Sequence, residues 1–306
     1  MKNTFDWNDL RYFLAVARAG TISQAGRMTG ADHATVARRI TALEAALEAQ
    51  LFIRNARGYS LTRQGERLLE TAARIEGEAG RLEERLGGRN QGISGIVRIS
   101  ALEGIGNFFL APRLSAFAAK HKKLSIELLT IQQIVAMSRR ETDILITLTP
   151  PSSRKFVQER LTDYRLFIYG SRDYLNTKPP ITSPEDLKKH DFVGYIDELV
   201  FTRGLDYLHE LETGLQARLQ CSSVHAQMEA AYAGFGLCVL PPFIARHRPE
   251  LVPVLPRQLS LLRTYWTMVH ADIATTANIR LALNFIRKEA AAAAPVFLGE
   301  ALLQAA

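Results

Sequence analysis

The sequence predicts an α/β protein headed by a helical segment, on three observations. Apolar residues recur at helical spacing through about the first 86 positions. Beyond the glycine-rich break Gly87-Gly88-Arg89-Asn90-Gln91-Gly92-Ile93-Ser94-Gly95, short β-prone runs alternate with helical ones, as layered α/β domains require. The chain of 306 residues exceeds one typical domain, so two or three are expected, with a hinge in that break. Hydrophobic residues at 47% and charged residues at 23% exclude a disordered chain and a disulfide scaffold. The longest near-apolar stretch, Tyr232 to Ala245, contains Gly234, Gly236, Pro241 and Pro242 and falls short of a bilayer span. With two cysteines and no basic-then-apolar start, a cytoplasmic location is expected.

The first helix is read from Leu10, Phe13, Leu14 and Ala17, which follow the i, i+3, i+4, i+7 pattern and stop at Gly20. Thr21-Ile22-Ser23 offers a cap for a short second helix through Met28, and Thr29-Gly30 makes the turn. Asp32 is a candidate cap for a third helix, about His33 to Glu48, with Val36, Ile40, Leu43 and Leu47 on its apolar face. His33, Thr35, Arg38 and Arg39 are left for other contacts. Leu51-Phe52-Ile53, the basic turn Arg54-Asn55-Ala56-Arg57-Gly58 and Tyr59-Ser60-Leu61 read as a two-stranded wing. That order is a winged helix-turn-helix, whose third helix suits a DNA major groove and whose wing suits phosphates. Charge agrees: of the net +7, residues 1–67 contribute +4, from ten Lys/Arg against six Asp/Glu. Candidate DNA contacts are therefore His33, Thr35, Arg38, Arg39, Arg54 and Arg57.

Asp9-Leu10, Phe13, Ser23-Gln24-Ala25, Arg38, Leu43-Glu44, Leu51-Phe52-Ile53-Arg54 and Leu61-Thr62-Arg63-Gln64-Gly65 fall at the spacing of LysR-type transcriptional regulators. The chain resembles that family densely over residues 7–66 and more loosely beyond. It departs where the family often has Ser-Gln-Pro, carrying Asp32-His33-Ala34, and at Ala37, where serine is frequent. The resemblance implies a DNA-binding domain over residues 1–66, a dimerising linker helix and hinge over 67–90, and an effector-binding domain over 91–306. It further implies a periplasmic-binding-protein-like pair of subdomains, I about 91–163 and 264–306, II about 164–263, with two chain crossings. The expected partners are double-stranded promoter or operator DNA, a small-molecule effector, further copies of the chain as homodimer or homotetramer, and RNA polymerase. No cofactor, metal, membrane or enzymatic role is expected. A transport-type small-molecule binding protein without a DNA role is the alternative, opposed by the wing.

Leu68, Ala72, Ile75, Ala79, Leu82 and Leu86 recur at steps of four and three, a heptad seam that wants a partner helix. Gly77 and Gly80 weaken that helix by about 1 kcal/mol each relative to alanine. In the α/β part, strands are expected at Ile96–Ser100, Leu124–Ile131, Thr142–Thr147, Leu166–Tyr169, Phe192–Ile196, Ala217–Cys221, Gly236–Leu240 and Tyr265–Val269. Helices are expected near Asn107–His121, Pro184–Lys189, Leu205–Thr213, His225–Ala233 and Thr276–Ala290, and the Ala290–Ala294 run ahead of Pro295 reads as a helix end and a tail. Ligands of open α/β sheets sit past the carboxyl ends of strands, near helix N-termini. That rule selects Ser100, Leu102 and Glu103, then Thr147, Leu148 and Thr149, then Tyr195, then Ser222 and Ser223, which also match by position the family's effector-contact segments. Simple helix capping is an equal alternative for each hydroxyl. Ligand polarity stays open, because Glu103 would repel a carboxylate that helix N-termini attract. Cys221 and Cys238 read as buried structural cysteines.

Overall fold

The computed structural model describes residues 6–55, 58–86, 93–131, 142–150, 153, 155–199, 205 and 207–305; within the helix 63–86, side chains are described at 63–69, 71–73, 75, 76 and 79. Described residues up to Leu86 form one compact unit, and most of those from Ile93 onward form another.

In the first unit α1 (Asp9–Ala19) ends on Gly20, α2 (Ile22–Thr29) ends on Gly30, and both glycines adopt φ of +70°. Left-handed backbone of this kind favours glycine at a helix end. Thr21 caps α2 by accepting from the Gln24 amide, and Asp32 caps α3 (His33–Ala46) by accepting from the Thr35 amide at 2.7 Å. The three helices bury Leu10, Phe13, Leu14, Val16, Ala25, Val36, Ile40 and Leu43 in one core. The wing is β1 (Phe52–Asn55) paired antiparallel with β2 (Gly58–Leu61). It is fixed to the helices by the Tyr59 amide donating to the Gly20 carbonyl at 2.7 Å. Glu44 holds its base, accepting from the amides of Leu51 at 2.7 Å and Phe52 at 3.1 Å.

α4 (Arg63–Leu86) follows directly. Gly65 lies so close to the wing that a Cβ there would stand 2.1 Å from the Leu51 carbonyl oxygen.

The second unit is built on a sheet in the order β10-β6-β11-β5-β3-β4, with β9 also on β6. Its strands are β3 (Gly95–Leu102), β4 (Leu124–Ile131), β5 (Ile144–Thr147), β6 (Phe156–Ser171), β9 (Cys238–Leu240), β10 (Leu251–Val254) and β11 (Leu261–His270). A separate parallel pair joins β7 (Phe192–Tyr195) to β8 (Ala217–Cys221). Helices α5 (Ala111–Lys120), α6 (Val224–Tyr232) and α7 (Ala277–Ala292) pack around them. β3 is parallel to both neighbours, β4 and β5, as a crossover sheet requires.

β6 and β11 are the longest strands, and they run antiparallel with Thr264 opposite Asp163. One half of β6 lies beside β11, while its other half carries β9 and β10. β6 thus links the β11 side of the sheet to the side that holds β9 and β10. Sequence periodicity missed the outer parts of both strands and all of β10, since Gln158, Glu159 and Arg160 and the Pro253 of β10 break the apolar run. The tail expected near Pro295 is instead two short helices, Ala294–Leu298 and Glu300–Ala305, anchored by the fully buried Phe297 against Phe109, Phe243 and Tyr265.

Candidate functional site

On the helix-turn-helix the turn is set by backbone proximity. A Cβ at Gly26 would sit 2.7 Å from the Ala31 carbonyl oxygen, so α2 can approach the start of α3 only with glycine there. His33, Ala34 and Arg38 of α3 are exposed, as is Arg54 on the wing. Arg38 has no ion-pair partner among the described residues. Arg57 lies outside the described residues.

Two other residues predicted to touch DNA are engaged within the protein. The Thr35 hydroxyl donates to the Asp32 carboxylate at 3.0 Å, reinforcing the cap. Asp32 is held below the usual carboxylate range by the Thr35 amide and hydroxyl. Arg39 is engaged more strongly: its guanidinium pairs with the buried Asp9 at 3.0 Å and with Asp6 at 2.9 Å, and lies over the Tyr12 ring. It answers a carboxylate inside the helical core, a need helical periodicity does not reveal because Asp9 reads as a first-turn acid.

The seam of α4 is divided. Ala72 is buried in the core of its own unit, with Leu68 and Ile75 packed beside it, and Glu76 pairs with Arg18 of α1 at 2.9 Å. Those three seam residues cover the chain's own helices, because the stripe that would meet a partner helix begins where the domain still needs a lid. Ala79 is exposed, and the side chains of Leu82 and Leu86 lie outside those described.

In the second unit a cleft of about 570 Å³, counted out to open solvent, is lined by five of the nine predicted ligand contacts: Leu102, Glu103, Leu148, Tyr195 and Ser222. Ser100, Thr147, Thr149 and Ser223 do not line it. Ser100 is fully buried and accepts a hydrogen bond from the Thr142 hydroxyl, which ties β3 to the start of β5. Thr147 is buried and accepts from the Thr149 amide at 3.3 Å, closing a turn. Ser223 caps α6, accepting from the Ala226 amide at 3.2 Å. Of these, Ser223 follows the helix-capping alternative, whereas Ser100 and Thr147 take up other hydrogen bonds within the protein.

Sequence reasoning missed most of the aromatic wall. Tyr164, Tyr207 and Tyr265 join Tyr195; the rings of Tyr164 and Tyr265 stack at 4.3 Å and 16°, and Tyr195 lies 5.9 Å from Tyr207. The available signal was the pair Tyr164 and Tyr265, beside the positions where chain crossings are expected. Burial pushes all four phenols above their ordinary value, so they are neutral hydroxyls near neutral pH. The Tyr207 hydroxyl donates to Gln227 at 2.7 Å, whereas the hydroxyls of Tyr195 and Ser222 have no hydrogen-bond partner among the described residues.

The one carboxylate among the described lining residues is spoken for. Glu103 accepts from the Ser223 hydroxyl at 2.7 Å and from the Val224 amide at 3.2 Å, so its charge rests on the N-terminus of α6. No Lys or Arg lines the cleft among the described residues. Burial pushes the thiols of Cys221 and Cys238 up, and both are free, so neither has thiolate character for redox chemistry at neutral pH. No cluster able to hold a metal and no helix long and apolar enough to cross a membrane occurs among the described residues.

A basic helix-turn-helix in one unit and a tyrosine-lined cleft in another are the parts of a regulator that binds DNA and responds to a small molecule. Family models bear this out: "Bacterial regulatory helix-turn-helix protein, lysR family" matches residues 7–66 and "LysR substrate binding domain" matches residues 90–291. The chain belongs to the LysR-type family of transcriptional regulators. Among relatives, the Mau operon transcriptional activator of Paracoccus denitrificans is 27% identical over 240 residues, covering 78% of this chain and 81% of its own. An HTH-type transcriptional repressor of Pseudomonas aeruginosa is 26% identical over 255 residues, covering 80% of each. Among solved structures, a full-length OxyR variant of Pseudomonas aeruginosa superposes with a TM-score of 0.71 at 18% identity, covering 92% of this chain and 98% of that one. The full-length Vibrio cholerae virulence activator AphB does so at 0.53 and 24%, with the same coverage. These two show likeness of fold.

Proposed function

We propose that this regulator reads operator DNA with His33 and Arg38 of α3, steadied on phosphates by Arg54 and Arg57 of the wing, and that a small molecule in the tyrosine-lined cleft changes its DNA occupancy. The exposed Arg38, without an ion-pair partner among the described residues, on a helix that commits Val36, Ile40 and Leu43 to the core, carries the reading. Thr35 and Arg39 are positioning residues in it. Copies of the chain associate through the later part of the α4 seam, Ala79, Leu82 and Leu86, and the α/β domains extend the dimer to a tetramer. RNA polymerase is the partner through which bound protein acts, in the cytoplasm and without catalysis by this chain; the regulatory character of the family supports that. Effector response requires different ligand affinity for two arrangements of the oligomer, because a ligand that binds both equally shifts nothing.

The test is a salt titration of DNA affinity. Replacing Arg38 by alanine flattens the slope of log affinity on log salt by about 0.9 if it meets a phosphate, or costs about 1–3 kcal/mol on the preferred site if it reads a base. An Arg38→Ala protein with unaltered affinity and slope rejects the α3 assignment. For assembly, Leu82→Glu should halve the sedimenting mass, whereas Ile75→Glu should unfold the first domain.

A further inference from the structure

We propose that the cleft selects an uncharged, ring-sized effector carrying a neutral polar group, such as an amide, carbonyl or hydroxyl, and rejects carboxylates. The inference rests on the cleft being the effector site. A helix N-terminus is where a carboxylate ligand would gain most, through unpaired backbone donors and the favourable end of the dipole. At α6 two of the donors are already used: the Ser223 hydroxyl and Val224 amide both serve Glu103, a residue of the cleft wall 120 positions away in sequence. Glu103 thus acts as a built-in anion. A second carboxylate brought beside it would meet like charge with no lysine or arginine among the described lining residues to offset it.

What remains for a ligand is aromatic and neutral. Tyr164, Tyr195, Tyr207 and Tyr265 provide ring faces, and Leu102, Leu148, Val239 and Ile244 complete an apolar wall. The hydroxyls of Tyr195 and Ser222, unpartnered among the described residues, can each donate and accept one bond. A neutral amide or hydroxyl satisfies them without importing charge. An organic cation would find the rings but would pay its desolvation beside a carboxylate already compensated in part by two hydrogen bonds and the positive end of α6.

Three probes of one shape separate the possibilities: 2-naphthamide, 2-naphthoate and 2-naphthylmethylamine, titrated calorimetrically into the full-length protein. The amide should bind at least about tenfold more tightly than the carboxylate. Glu103→Ala, which vacates the α6 donors, should raise carboxylate affinity about tenfold or more and erase the preference, with Glu103→Gln between the two. Circular dichroism checks that both variants fold, and the rank order in the unaltered protein tests the proposal by itself. A carboxylate or ammonium probe that binds the unaltered protein as tightly as the amide overturns it, as does failure of all three to bind at millimolar concentration. Leu148→Trp, which fills the cleft, separates this from the underlying reading: if ring binding survives it unchanged, the cleft is not the ligand site, whatever the charge preference.

Discussion

The two units solve one problem, a charged group near a helix start, at different ranges of sequence. At α3 the carboxylate is Asp32, three residues from the amide it serves. At α6 it is Glu103, more than a hundred residues away. The local cap leaves the neighbouring His33 and Arg38 exposed for a partner, whereas the distant one is drawn from the wall of a cleft and sets its charge. Short-range bonding shapes a surface; long-range bonding shapes an interior.

The same contrast appears in packing, and there the largest effect is expected. A methyl at Gly65 would collide with a backbone carbonyl that cannot yield, whereas one at Gly104 would meet only the tips of Ile244 at 3.0 Å and Val224 at 3.4 Å. Gly65→Ala should cost about 1–3 kcal/mol and lower the melting temperature of the DNA-binding domain, with Gly104→Ala costing less than about 1. Equal melting temperatures for the two variants, read by calorimetry, would show that the wing base is not rigid.

Next come the adjacent arginines of α3. Arg39→Ala strands the buried Asp9 and should lower the melting temperature clearly, while DNA binding by the protein still folded at low temperature keeps its salt slope. Arg38→Ala should do the reverse. If Arg39→Ala flattens the salt slope at unchanged stability, Arg39 is a DNA contact after all and its ion pairs are incidental.

These pairs also mark how far the sequence could be read. Helix spans, caps at Thr21 and Asp32, the wing and the family motifs were legible because each is decided within about ten residues. Arg38 and Arg39 were not distinguishable, because the partner that separates them lies thirty positions back. In the α/β unit the strands β4 and β8 were read to the residue, and five cleft residues were found from strand ends. Tyr164, Tyr207 and Tyr265 were missed because their neighbours in space are remote in sequence, and Ser100 was misplaced because its partner Thr142 lies 42 positions away.

The buried tyrosines make a pH prediction that divides the units. Their folded pKa values lie above the ordinary value near 10, because burial disfavours the phenolate. Below pH 10 both folded and unfolded forms keep the proton and there is no pH-dependent term. Above it the unfolded chain releases protons that the folded one retains, so stability falls as pH rises from about 10 toward the folded values. The α/β unit should therefore unfold first in alkali, seen as loss of near-ultraviolet tyrosine dichroism together with a rise in tyrosinate absorbance. Tyrosinate absorbance exceeding that of the five tyrosines outside the cleft, before dichroism is lost, would mean that the cleft phenols ionise in the folded state.

The smallest expected effect returns to Asp32. Asparagine caps a helix as well as aspartate, so Asp32→Asn should leave thermal stability nearly unchanged at neutral pH. It also removes a negative charge from the exposed start of α3, close to where phosphates would lie if that helix enters the groove. DNA affinity should then rise by roughly twofold to fivefold at low salt and return to the parent value as screening sets in. Acid gives the converse reading: the carboxyl is held low when folded, so its stabilisation is present above the ordinary carboxylate range and is lost as pH falls through the folded value, a loss the asparagine variant should not share. Binding measured at two salt concentrations decides the matter. An asparagine variant no tighter than the parent at low salt would place the start of α3 away from the phosphates, and His33 with it.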